Sequence, residues 1–170
     1  MRGVLLAFLF LTLAQPARAA LEENEVKAAV VYHLSLFAEW PPGSLREGRF
    51  NLCVLTENEI MADALSRLGG KTVKGVSLVA WRKRPMHDLS ICQMVFLGEM
   101  NDAARSRVIA RLAGQPVLTI VNGGAQLPGA MVSLGIAAER VYFDIDLASV
   151  QRCGLRLDAK LLRLARSVVR

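Results

Sequence analysis

With only two histidines among 170 residues, the chain is poor in the side chain that most often moves protons at neutral pH. His33 falls on the apolar face expected of the first helix, and His87 sits in the turn Pro85-Met86-His87-Asp88. No Gly-x-Ser-x-Gly elbow is present to supply a serine nucleophile, so a hydrolase has no catalytic residues to stand on. Metal binding fails on spacing, because the histidines lie far apart and the cysteines include no Cys-x-x-Cys pair. Asn122-Gly123-Gly124 does not open a helix, which makes it a tight turn rather than a phosphate cradle, and no cofactor motif stands elsewhere. Internal repeats, low-complexity tracts and Gly-, Pro- or Ser-rich linkers are missing as well, which predicts a single domain.

What the chain does have is an export signal. Arg2 precedes an apolar run from Val4 to Leu13 broken only by Thr12. Gln15-Pro16-Ala17-Arg18-Ala19 then sets small residues where a signal peptidase reads them, so cleavage is expected after Ala19. The run is shorter than the ~20 residues a membrane-spanning helix needs. These features predict a signal peptide over residues 1–19, a periplasmic location, and one α/β domain over residues 20–170. Removing the signal takes Arg2 and Arg18 from the 21 basic residues and none of the 15 acidic ones, leaving a mild basic excess. Those basic residues are scattered, and with export this argues against a nucleic-acid partner.

Cys53, Cys92 and Cys153 all enter a compartment where disulfides form. Cys53 lies in the apolar run from Asn51 to Leu55, and Cys92 stands near the head of the run from Ile91 to Leu97. If the two runs are neighbouring strands, their thiols meet and Cys153, beside Gly154 at the end of a helical stretch, stays unpaired. The alternative is three small buried hydrophobes. The oxidising setting favours the bridge.

Apolar spacing predicts a helix after Glu22, Glu23 and Glu25, with Val26, Ala29, Val30, His33, Leu34 and Phe37 on its inner face and Glu39-Trp40-Pro41-Pro42-Gly43 as its stop. A strand follows from Phe50 to Leu55, then a helix capped by Asn58 and closed by Gly69-Gly70, then strands from Val76 to Trp81 and from Gln93 to Leu97. Asn101 or Asp102 caps a third helix that ends at Gly114. Strands are expected from Val117 to Val121, Met131 to Ile136 and Arg140 to Ile145. The last helix is expected from Asp158, with Leu161, Leu164, Ala165 and Val168 on one face and Arg163, Arg166 and Arg170 toward its C-terminal end. Helices alternating with short apolar strands predict the α/β class, with a mostly parallel central sheet, helices on both faces, and an antiparallel edge from the late strand pair.

Two places suit recognition. Trp40 stands beside two prolines at the exit of the first helix, and Tyr142 with Asp144 alternates out of phase with Val141, Phe143 and Ile145, giving that strand a partly polar face. Such residues also cap cores, and either role fits the sequence.

The block from Val26 to Pro41, VKAAVVYHLSLFAEWP, resembles the opening motif of the YfiR family of periplasmic proteins. Asn51-Leu52-Cys53-Val54-Leu55, Ile91-Cys92-Gln93-Met94-Val95-Phe96, Pro116-Val117-Leu118-Thr119-Ile120 and Gly129-Ala130-Met131 resemble that family's successive strands. Arg140 to Asp146, Gly154-Leu155 and Leu161 to Ala165 resemble its ending. The resemblance covers nearly all of the chain after the signal. It implies an α/β repressor that binds the periplasmic sensor segment of an inner-membrane diguanylate cyclase of the YfiN type, lowers cyclic di-GMP synthesis, and restrains biofilm formation. It also implies a core disulfide between Cys53 and Cys92, while the second bridge of some members has no counterpart because Cys153 is alone. A periplasmic module for a small molecule or cell-wall fragment, sited at the Asn122 to Leu127 loop, is the other reading, and a homodimer stays open.

Overall fold

The computed structural model describes residues 15–45, 48–124 and 127–170. Most of the expected signal peptide, and part of the Asn122 to Leu127 loop, lie outside the described residues. In chain order the elements are α1 (Gln15–Phe37), β1 (Ala38–Glu39), β2 (Arg49–Leu55), α2 (Glu59–Ser66), β3 (Thr72–Val73), β4 (Val76–Arg82), β5 (Met94–Leu97), α3 (Asp102–Leu112), β6 (Leu118–Asn122), β7 (Val132–Ala137), β8 (Arg140–Asp146), α4 (Leu147–Arg152), β9 (Arg156–Leu157), α5 (Ala159–Leu164) and β10 (Ser167–Val169).

Eight strands form one sheet in the order β10-β8-β7-β6-β5-β2-β4-β3. β4, β2, β5, β6 and β7 run parallel; β8 turns back antiparallel on β7, and β10 adds parallel to β8. At the far edge β3 pairs antiparallel with β4. The central strands are continuous apolar runs because both of their faces are covered, and β5 and β6 are buried along their whole length. On one face Leu34 of α1 and Met61 and Leu65 of α2 pack in a cluster with Phe50, Phe96 and Ile120. On the other, Val108, Ile109 and Leu112 of α3 pack with Leu55, Val95, Leu97 and Val121. The α/β class with a mostly parallel sheet and helices on both faces is therefore what the chain adopts. Asn58 and Asn101 cap α2 and α3 as expected, accepting from the N–H of Met61 at 3.0 Å and of Ala103 at 2.9 Å.

Three expectations are corrected. First, α1 begins at Gln15, so Glu22, Glu23 and Glu25 lie within it, and its buried face is Asn24, Lys27, Ala28, Val31, Leu34 and Ser35. Val26 is 50% exposed and Ala29 and His33 face outward. From Ala28 to Phe37 apolar residues occur on more than one side of the helix, so periodicity left two stripes available, and docking on the sheet selects one. Lys27 is matched at its buried position by donating to Glu23 at 2.6 Å. Second, the last helix stops at Leu164, which is 71% exposed, and the Ser-Val-Val that follows pairs with β8 as β10. β-branched residues with an open strand edge beside them favour that pairing over another helical turn. Third, β8 is antiparallel but is no edge, because β10 covers it.

A separate two-stranded ribbon joins β1 to β9, with Ala38 opposite Leu157 and Glu39 opposite Arg156. The Asp158 N–H donates to the Phe37 carbonyl at 2.9 Å just beyond it. The end of α1 is thereby fastened to the start of α5.

Candidate functional site

Three groupings gather the side chains that carry chemistry. The first is the disulfide. Cys53 lies in the middle of β2, and Cys92 stands two residues before the neighbouring β5, which brings their Cα atoms within 5.9 Å and joins them across 39 residues of sequence. Both are buried in the cluster beneath α3. Cys153 is a buried free thiol at the end of α4.

The second grouping flanks that bridge. The Trp40 indole donates to the Gln93 carbonyl at 3.0 Å and meets Phe50 edge-on, with ring centroids 5.0 Å apart. Gln93 accepts from the Asn51 N–H at 2.7 Å and donates to the Ser44 carbonyl at 2.7 Å. Asn51 accepts from the Trp81 indole at 2.9 Å. The two tryptophans are thus linked through two buried amides, and Trp40, half-buried, fastens the loop after α1 to the head of β5. Trp81 is 39% exposed on β4, where its Cα is paired with that of Cys53. Asn51, Gln93 and Trp81 were missed from the sequence. The available signal was a buried-strand run holding a side-chain amide, which has to be matched by a partner.

The third grouping contains Tyr142 and Asp144, and the structure adds Arg166 to them. Asp144 is almost fully buried, and the Arg166 Nε donates to its Oδ1 at 2.9 Å while a second nitrogen reaches Oδ2. The bond to Asp144 is the first reason that the Arg166 pKa stands above its ordinary value. The guanidinium also lies 3.5 Å over the centre of the Tyr142 ring. Tyr142 is opposite Gly135 in the β7–β8 ladder, and a Cβ at Gly135 would collide with the ring. This stack holds β10 against β8. Beside it a cleft of about 200 Å³ is lined by Leu127, Pro128, Ala130, Ser133, Asp144 and Asp146. Asp146 is occupied in capping α4, accepting from the Ser149 N–H at 2.9 Å and from its hydroxyl at 2.6 Å. Trp40 belongs to a different cluster from Tyr142 and Asp144.

His33 stacks on Phe37 on the outer side of α1, and the His87 Nδ1 accepts from the Arg84 N–H at 3.1 Å within its own turn. Among the described residues no group of three or more His, Cys, Asp or Glu side chains is placed to hold a metal ion, and no helix is long and apolar enough to cross a membrane.

A family model described as YfiR/HmsC-like matches residues 24–166. Among solved structures, a conserved domain protein from Vibrio cholerae is similar with 13% identity and a TM-score of 0.49, over 85% of this chain. The chain spans 60% of the length of that protein.

Proposed function

The chain belongs to the YfiR/HmsC-like family, and from that membership we propose that it is a periplasmic regulator that docks on the sensor segment of an inner-membrane diguanylate cyclase of the YfiN type and lowers cyclic di-GMP synthesis. The family match over residues 24–166 carries this reading. The architecture supports it in one respect: two carboxylates lining the cleft beside Tyr142 are engaged by the chain itself, Asp144 by Arg166 and Asp146 by Ser149. Such a molecule offers shape and surface to a partner. Tyr142 and Asp144 serve the docking surface by holding β10 in place, and Trp40 serves it by fixing the loop after α1. The cyclase is restrained to the extent that the regulator binds its inactive arrangement more tightly than its active one.

Co-purification of the tagged protein with a membrane cyclase, and a rise in cellular cyclic di-GMP on its deletion, are the expected results. Unchanged cyclic di-GMP in the deletion strain would refute the reading. The small-molecule module draws on the cleft at Ser133 and Asp144, and a ligand-dependent rise in the thermal midpoint of the isolated protein would favour it.

A further inference from the structure

The β7–β8 hairpin keeps its polar side chains on one face. Val132, Leu134, Phe143 and Ile145 join the core cluster of α1 and α2, whereas Ser133, Asp144 and Asp146 turn the other way and line the cleft bounded by Leu127, Pro128 and Ala130. Ser133 is directly opposite Asp144 in the ladder, and Asp146 lies on the same face two residues farther along β8, about 7 Å away. Three polar groups from two paired strands thus converge on a space of about 200 Å³.

Their hydrogen bonding is incomplete. Ser133 is only 3% exposed, and among the described residues its hydroxyl has no partner. A polar group so enclosed is costly to leave unmatched. An ionised carboxylate has about four acceptor positions. Arg166 uses one on each oxygen of Asp144, and Ser149 uses one on each oxygen of Asp146, so both carboxylates can accept again.

That donor set selects its guest. Both charged groups lining the cleft are acidic, which disfavours an anion. A hard divalent metal ion seeks about six or more oxygen ligands, and among the described residues no group of three or more His, Cys, Asp or Glu is placed to hold one. A primary ammonium carries three N–H donors and no acceptor, which gives one donor each to Asp144, Asp146 and Ser133. Leu127, Pro128 and Ala130 offer its hydrocarbon part an apolar wall. We propose that this cleft binds a small primary amine by its ammonium group. The inference gives the small-molecule reading of the cleft a ligand class, and it holds whether or not the protein restrains a cyclase.

The test titrates n-butylamine into the whole oxidised protein at constant ionic strength and follows amide chemical shifts, with butanol, butyrate and tetramethylammonium as controls. Butylamine should give saturable shifts at Ser133, Asp144 and Asp146, and the controls none there. Asp146→Asn keeps an oxygen that caps α4 but removes the charge, and should weaken butylamine by about tenfold or more with the thermal midpoint retained. Ser133→Ala removes the unmatched hydroxyl, and should weaken it by about threefold or more. No saturable shift with butylamine, equal shifts with tetramethylammonium, or an affinity unchanged in both variants overturns the proposal. Saturation by butanol or butyrate in place of butylamine also overturns the ammonium assignment, while leaving the small-molecule reading of the cleft standing.

Discussion

Gly135 shows how much one absent carbon decides. Its missing Cβ is the space the Tyr142 ring occupies, and the ring in turn is the platform for Arg166. Gly135→Ala should therefore destabilise the protein by about 1–3 kcal/mol through overpacking, measured by urea unfolding. Adding Tyr142→Ala should relieve part of that cost, and a double-mutant cycle reads the coupling. Asp144→Asn takes away the charge that holds Arg166, and the expected result is a lower thermal midpoint with faster exchange of the β10 amides. Tyr142 and Asp144 were legible in the sequence as polar positions out of phase with an apolar strand. Arg166 was not, because its neighbours also fit a helical period, and only the open edge of β8 gave them a better alternative. Asn51 and Gln93 could be read only as interruptions, since their meaning lies in the contacts they make with each other and with the two indoles.

At the scale of elements, the central strands were visible because burial on both faces demands unbroken apolar runs. The strands of two or three residues were invisible because tertiary partners, not local preference, create them. The turn between β7 and β8 carries a local conflict: Ala138 and Glu139 hold φ of 47° and 60°, a region that favours Asn and Gly. Replacing the pair with Asn-Gly should raise stability by about 1 kcal/mol or more, seen as a higher thermal midpoint without change in the hairpin's register. α1 carries a second expectation. If export removes residues 1–19, the helix starts at Ala20, and Glu22 and Glu23 enter its first turn, where they complement the helix dipole. Mass spectrometry of protein recovered from the periplasm should give Ala20 as its first residue.

For the whole molecule, the disulfide is expected to govern stability because it ties β2 to the segment leading into β5 while closing a loop across 39 residues. The loop-entropy relation gives about 4 kcal/mol for such a closure, a large share of the margin a domain of this size commonly has. Cys53→Ser, or reduction, should lower the urea midpoint accordingly and, under the proposed function, raise cyclase output in cells. A Cys53→Ser protein as stable as the original would remove the bridge from the account. Cys153→Ser should leave the bridge intact, the protein still showing by mass the loss of two hydrogens that one disulfide makes.

The ribbon of β1 and β9 ties residues 38 and 39 to residues 156 and 157. Contacts so distant along the chain are slow to form, because the intervening loop must be closed before they return any free energy. A growing polypeptide cannot complete this clasp until residues 156 and 157 have been synthesised, so the end of α1 waits for a segment made long after it. Under the proposed periplasmic location that delay is useful, since the chain stays threadable until both strands of the ribbon have arrived on the same side.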